Sequence, residues 1–195
     1  MSADPGAAPA AGPVIENPLS GEQIVVRRTA GQTGGRVLDW ELVLTRGGRV
    51  PSSHAHPGQE ECFTVLEGQM RFRVGRRRLL AGPGDTVRVP PGTVHHFANA
   101  GPGPARVAVQ TRPALCMHEL LETAAALARA QHAAGRRTPR LAELALFMRD
   151  FRAEVRAPYL PAALVGAVMA PVAALARRRG RDARYRALRE PGRAR

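Results

Sequence analysis

No lysine occurs anywhere in this chain of 195 residues, so all 29 of its Lys+Arg positions are arginine. Against 16 acidic residues they leave a formal charge of +13. The excess is uneven, +4 over residues 1–114 and +9 over 115–195, and it is densest from Arg177-Arg178-Arg179 to Arg195. Such a tail can touch nucleic acid or an anionic bilayer, but its ordinary reading is a solvated end in an arginine-biased protein. Aromatic residues are only 4%, too few for base-stacking platforms, which argues against a nucleic-acid partner. Cys62 and Cys116 are too few for a disulfide framework, and neither lies in a CxxC. Residues 1–13 are an Ala/Pro/Gly stretch without a basic start or apolar block. They read as a disordered linker rather than a signal peptide, and the protein is expected in the cytoplasm.

Long apolar runs are also missing, with one segment to weigh. Leu160–Ala176 carries no charge, but its 17 residues sit at the bottom of the range for a membrane span, and Pro161 and Pro171 interrupt it. A span with the basic flank inside would require export of everything before it. We expect a helix packed on its own domain, with peripheral membrane contact through 160–181 as the other reading. Arg177-Arg178-Arg179-Gly180 reads as a helix end, cations on the dipole followed by glycine.

Short candidate strands fill the first part of the chain: 23–29, 36–45, 61–66, 69–74, 77–80, 86–89, 95–98 and 105–111. Turn signals such as Arg46-Gly47-Gly48, Pro90-Pro91-Gly92 and Gly101-Pro102-Gly103-Pro104 separate them. Many short, evenly spaced strands argue for a sandwich or barrel. From about Leu115 the pattern turns helical. His118–Gln131 is rich in Ala and Leu. A second helix is expected to open at Thr138 as N-cap with Pro139 at its first position, burying Leu141, Leu144, Met148, Phe151 and Val155 on one face. The division is thus a linker over 1–13, a β domain over 14–114, a helical extension over 115–180 and a basic tail over 181–195.

Three of the six histidines fall into a pattern with one glutamate. The first stretch is Gly48-x5-His54-x-His56-x4-Glu61-x6-Gly68; the second is Gly84-x5-Pro90-x-Gly92-x2-His95-x3-Asn99. Three imidazoles and a carboxylate suit a first-row divalent metal and leave positions open for a ligand. On an extended segment His54 and His56 point to one face. Glu61 shares parity with Phe63 and Val65, which leaves Glu60 pointing outward. A carboxylate among apolar neighbours is costly unless coordinated or paired. His95 likewise shares parity with Phe97 and Asn99, and His96 faces out. Turns at Pro57-Gly58, Gly68 and Pro90–Gly92 bring the pieces together. Met70, Phe72 and Val74 are expected to close a small apolar pocket above the metal. His96, His118 and His132 read as ordinary residues.

These two stretches resemble the two sequence motifs of the cupin superfamily over roughly residues 36–112, including the 15-residue gap from Gly68 to Gly84. The resemblance implies a mainly β fold, a small antiparallel barrel of the jelly-roll type, followed here by a helical extension. It implies a metal held by His54, His56, Glu61 and His95, with Asn99 supporting the fold. The segment from Leu115 resembles the helical tail of some bacterial single-domain cupins of unassigned function. A homodimer through barrel faces is also implied.

Fold and ligands do not select a reaction. The metal would be one divalent Fe, Mn, Ni or Zn. One reading is an enzyme, dioxygenase-like or an isomerase, acting on a small oxygen-bearing molecule. Arg71, Arg73 and Glu41 enter its site only if they point inward. The other reading is a non-catalytic binding or sensing module whose basic helical tail carries the interaction.

Overall fold

The protein is described by a computed structural model over residues 14–136, 138–158, 162–180 and 182–189. The expected linker over 1–13 and the tail end over 190–195 lie outside the described residues, as do Leu160 and Pro161.

Nine antiparallel strands come first: β1 (Val14–Asn17), β2 (Glu22–Arg28), β3 (Leu38–Leu44), β4 (Glu60–Glu67), β5 (Met70–Val74), β6 (Arg77–Ala81), β7 (Thr86–Val89), β8 (His95–Asn99) and β9 (Ala105–Arg112). Eight match the expected segments to within a residue or two. The additional strand, β1, is a four-residue edge too short for alternation to announce it. Six strands form one sheet in the order β1-β2-β3-β9-β4-β7, and β6-β5-β8 form a second. The two sheets face each other in a jelly-roll arrangement and do not close into a continuous barrel. Alternation explains their shared core: Phe63 and Val65 on β4, Val107 and Val109 on β9, and Met70 and Phe72 on β5 are all buried. Rings from both sheets meet there, with Phe63 centred 5.4 Å from Phe72 and 5.3 Å from Phe97. Asn99 ties the far end together. Its amide donates to the carbonyls of Leu44, Thr45 and Gly103, and its oxygen accepts from Gly101 N–H.

Helix α1 (Met117–Ala133) packs on β1 and adds Met117, Leu120 and Ala125 to the main core. Then come α2 (Leu141–Asp150), α3 (Ala162–Arg178) and α4 (Ala183–Arg189). These four helices place several expectations differently. Helix α2 opens at Leu141, with Arg140 at the N-cap and no side-chain cap, not at Thr138-Pro139. Leu141 is exposed, and the most buried apolar residues of α2 are Ala145 and Leu146, which pack with Ala173, Ala176 and Tyr185 in a second small cluster. Leu144 and Met148 instead look into a cavity. Pro171 lies inside α3 and does not end it. Gly180 closes α3 at φ +63, a left-handed value that glycine adopts without strain. Helix α4 forms inside the segment read as tail. Its Arg189 pairs with Glu119 at 2.6 Å and Asp150 at 2.7 Å, clasping α1 and α2 together. No helix among the described residues is long and apolar enough to cross a membrane.

Between α2 and α3 the chain returns to the β domain. Arg156 N–H donates to Ala55 O at 3.0 Å and Ala55 N–H to Arg156 O at 3.3 Å, a two-way antiparallel bridge. Residue 55 sits between the two histidines of the first motif, so the extension is pinned to the segment that carries the site.

Candidate metal centre

His54, His56, Glu61 and His95 converge, their ligand atoms all within 4.8 Å of one another. Glu61 reaches the centre from β4, opposite Thr111 of β9 and Val89 of β7. His95 begins β8. His54 pairs with it through backbone hydrogen bonds of 3.1 and 2.9 Å, which fixes the spacing between the two motifs. The Pro90–Gly92 turn is held by Gly92 N–H donating to His56 O at 2.7 Å, with Gly92 at φ +74. Parity selects as expected: Glu61 and His95 are 3% and 1% exposed. Glu60 turns outward to Arg88, and His96 is only half-buried.

The hydrogen bonds of the rings are more informative than their positions. Each of the three imidazoles has Nδ1 against a backbone carbonyl: His54 on Ser52 at 3.0 Å, His95 on Thr93 at 3.1 Å, His56 on Glu154 at 2.5 Å. A carbonyl only accepts, so Nδ1 carries the proton and Nε2 presents its lone pair. Nε2 of His56 and of His95 stand 3.2 and 3.1 Å from Glu61 Oε2. All three atoms are buried without a properly directed hydrogen bond. Buried polar atoms left this way are costly. Bonds of about 2.1 Å to a common ion place neighbouring ligand atoms about 3 Å apart, so the donor set fits a divalent transition metal.

Electrostatics agree. Burial alone would push the Glu61 carboxyl up, but the imidazoles of His56 and His95 beside it outweigh burial and hold the group well below the carboxylate range. Burial pulls His56 down, yet the Glu61 carboxylate and the Glu154 carbonyl together raise it above its ordinary value. His54 is pushed down to about 3 by burial and by its two imidazole neighbours. A single carboxylate among three imidazoles is thus a site that calls for a cation.

Two contributors were not visible in the motifs. Thr111 stands behind Glu61, its hydroxyl 3.5 Å from Oε1 and itself accepting from Trp40 Nε1 at 3.1 Å. Register alone could have found it, since Thr111 is the buried polar residue opposite Glu61. Glu154, buried in the turn after α2, supplies the carbonyl for His56 and anchors itself by accepting from Cys116 N–H. No sequence signal marks a backbone carbonyl 98 residues away. Arg71, Arg73 and Glu41 take no part: both arginines are exposed, and Glu41 pairs with Arg27 and Arg106.

The space above the cluster also departs from expectation. Met70 and Phe72 are sealed in the core between the sheets rather than lining a pocket. What opens from His54, His56 and Glu61 is a cavity of about 920 Å³, walled on its other side by α1, α2 and α3.

Residues 40–111 match the family model of the cupin domain. These residues form a cupin domain. Among solved structures this cupin is similar to a predicted oxalate decarboxylase of Thermotoga maritima, 18% identical over 47% of this chain and 80% of that one, with a TM-score of 0.45. It is similar to KdgF of a Halomonas species, 18% identical over 48% and 79% of the two chains, TM-score 0.43. TT1209 of Thermus thermophilus is 32% identical over 40% and 74%, TM-score 0.39. No curated protein matches the chain.

Proposed function

We propose that this cupin is a mononuclear metal enzyme acting on a small oxygen-bearing molecule, by dioxygenase-like oxidation or by isomerisation. His54, His56, Glu61 and His95 would hold one divalent Fe, Mn, Ni or Zn. The observation that carries the reading is the common tautomer: three rings with Nδ1 on carbonyls and Nε2 turned to one point beside Glu61 Oε2. When bound, such a metal supplies Lewis acidity or redox capacity. The chain's own part is positional. Carbonyls of Ser52, Thr93 and Glu154 lock the rings, Thr111 orients the carboxylate, and α1, α2 and α3 wall the cavity beside the site.

A second reading, a binding or sensing module, is favoured by the largely apolar walls of the cavity, which offer few acid–base groups beyond the four. Metal analysis of natively expressed protein, joined to an oxygen-uptake and isomerisation screen, tests both. Turnover that follows metal identity supports the enzyme. Stoichiometric metal with thermal stabilisation by ligands and no turnover supports the module. Less than a tenth of an equivalent of any transition metal would sink the site. His56→Ala should lower bound metal from about one equivalent to near zero, since the metal would lose one of only four protein ligands.

The division into a β domain over 14–114 and a helical extension over 115–180 belongs to the same proposal, as does a homodimer through sheet faces, read by light scattering. The free thiols of Cys62 and Cys116 support a reducing, cytoplasmic setting.

A further inference from the structure

The cavity runs well beyond the four ligands. Glu61 lies opposite Thr111, which pairs with Leu38 at the start of β3, whereas Glu22, at the cavity's other end, pairs with Leu44 at the end of β3. Six residues of strand separate those rows, roughly 20 Å at about 3.3 Å per residue. A volume of about 920 Å³ is the share of roughly thirty waters at about 30 Å³ each. Small oxygen-bearing molecules would leave most of it unfilled. Between its ends the walls are apolar, with Leu120 and Ala124 of α1, Phe147 and Met148 of α2, and Val168 and Met169 of α3.

Charge within this space is sparse and uneven. Glu61 belongs to the metal cluster, and Glu22 already accepts hydrogen bonds from Asn17 and Ser20. Arg49 and Arg156 also line the cavity, and neither forms an ion pair among the described residues. Arg156 is half-buried and placed next to the cluster: its backbone bridges Ala55, and among the described residues its guanidinium makes one hydrogen bond, a loose one to Gly92 O at 3.5 Å. A half-buried guanidinium without a carboxylate, at the polar end of a long apolar cavity, is built to receive one.

We propose that the cavity takes an amphipathic carboxylate, its head between Arg156 and the His/Glu cluster and its apolar body along α1, α2 and α3. The proposal rests on the metal reading only for which atoms of the head face the cluster, since Arg156 and the apolar walls need no metal. The helical layer is then a specificity device, which sets the length and bulk of what reaches the centre.

Dodecanoate, dodecanol and acetate serve as probes, titrated calorimetrically below micelle-forming concentrations into full-length protein, metal-loaded and after chelation. Dodecanoate should bind both forms near one equivalent, at least tenfold tighter than dodecanol, and acetate should not register. Arg156→Gln should lose at least tenfold for dodecanoate and leave dodecanol within twofold. Val168→Trp, a change at an exposed wall position, should weaken both long-chain probes by at least tenfold with metal content unchanged. Equal binding of dodecanoate and dodecanol, or a Val168→Trp protein that binds as wild type, overturns the proposal. So does a Val168→Trp effect on oligomeric state alone, which would mark the wall as a contact between copies, or binding to phosphatidylglycerol vesicles without binding to free dodecanoate. Dodecanoate binding by a protein that never takes up metal would remove the metal reading and leave this one standing.

Discussion

Glu22 and Glu61 are both buried carboxylates, and their surroundings drive them in opposite directions. Glu61 has imidazoles around it and stays ionised. Glu22 is pushed up to about 7 by burial, which hydrogen bonds from Ser20 and Asn17 only partly offset. Between the ordinary value of 4.5 and about 7, the folded protein holds a proton on Glu22 that the unfolded chain has released. Stability contributed at this residue is therefore greatest below pH 4.5 and falls as pH rises through 7. His54 runs the other way in the metal-free protein, because its folded value near 3 lies below the unfolded 6.5, so stability falls as pH drops. The difference between wild type and Glu22→Gln isolates the carboxylate. Chemical denaturation of the metal-free proteins should show Glu22→Gln gaining on wild type from pH 5 to pH 8 by a few kcal/mol, at about 1.4 kcal/mol per unit. Parallel curves across that range would show Glu22 to be solvated.

At the scale of elements, the bridge between Ala55 and Arg156 decides how the helical extension acts. It carries the turn whose Glu154 carbonyl fixes His56, so backbone geometry in the extension becomes ring geometry in the site. Two substitutions at one position separate backbone from side chain. Arg156→Gln keeps the N–H that bonds Ala55 and should hold metal as wild type does. Arg156→Pro removes that donor and should weaken metal by about 10–100-fold, the usual scale for losing a partner that orients a ligand. Competition with a chromophoric chelator reads both, and equal affinities for the two variants would show that the bridge has no part in the site. Much of this level is legible in the sequence. Strands β2 to β9 declare themselves by alternation between turns, and strand parity separates Glu61 from Glu60 and His95 from His96. The opening of α2 departs from expectation because Thr138-Pro139 carries a strong local start signal, whereas packing of Ala145 and Leu146 against α3 and α4 sets the real helix. Thr111 and Glu154 leave no local signal because both act through pairings far apart in sequence.

Over the whole molecule the two hydrophobic clusters differ in kind. The main one joins both sheets with α1 through Phe, Trp, Leu and Val side chains, while the second rests largely on alanines plus Leu146 and Tyr185. Alanine buries little area, so α3 and α4 have less holding them down than the sheets do. Amide exchange should be slowest in β3, β4 and β9 and at least tenfold faster in α3 and α4, and dodecanoate should slow α3 selectively. Uniform protection across strands and helices would contradict this layering. The extension's role could not be read from its sequence, because an Ala/Leu-rich helix looks the same whether it covers a cavity or lies apart. The bridge at Arg156 also orders events in time. His54, His56, Glu61 and His95 leave the ribosome first, and roughly sixty further residues, several seconds at about 5–20 residues per second, must follow before His56 meets the Glu154 carbonyl. A nascent chain stopped short of that point would display all four ligands with one ring unsecured. Tight metal capture would therefore mark a chain translated through α2 and the turn that follows it.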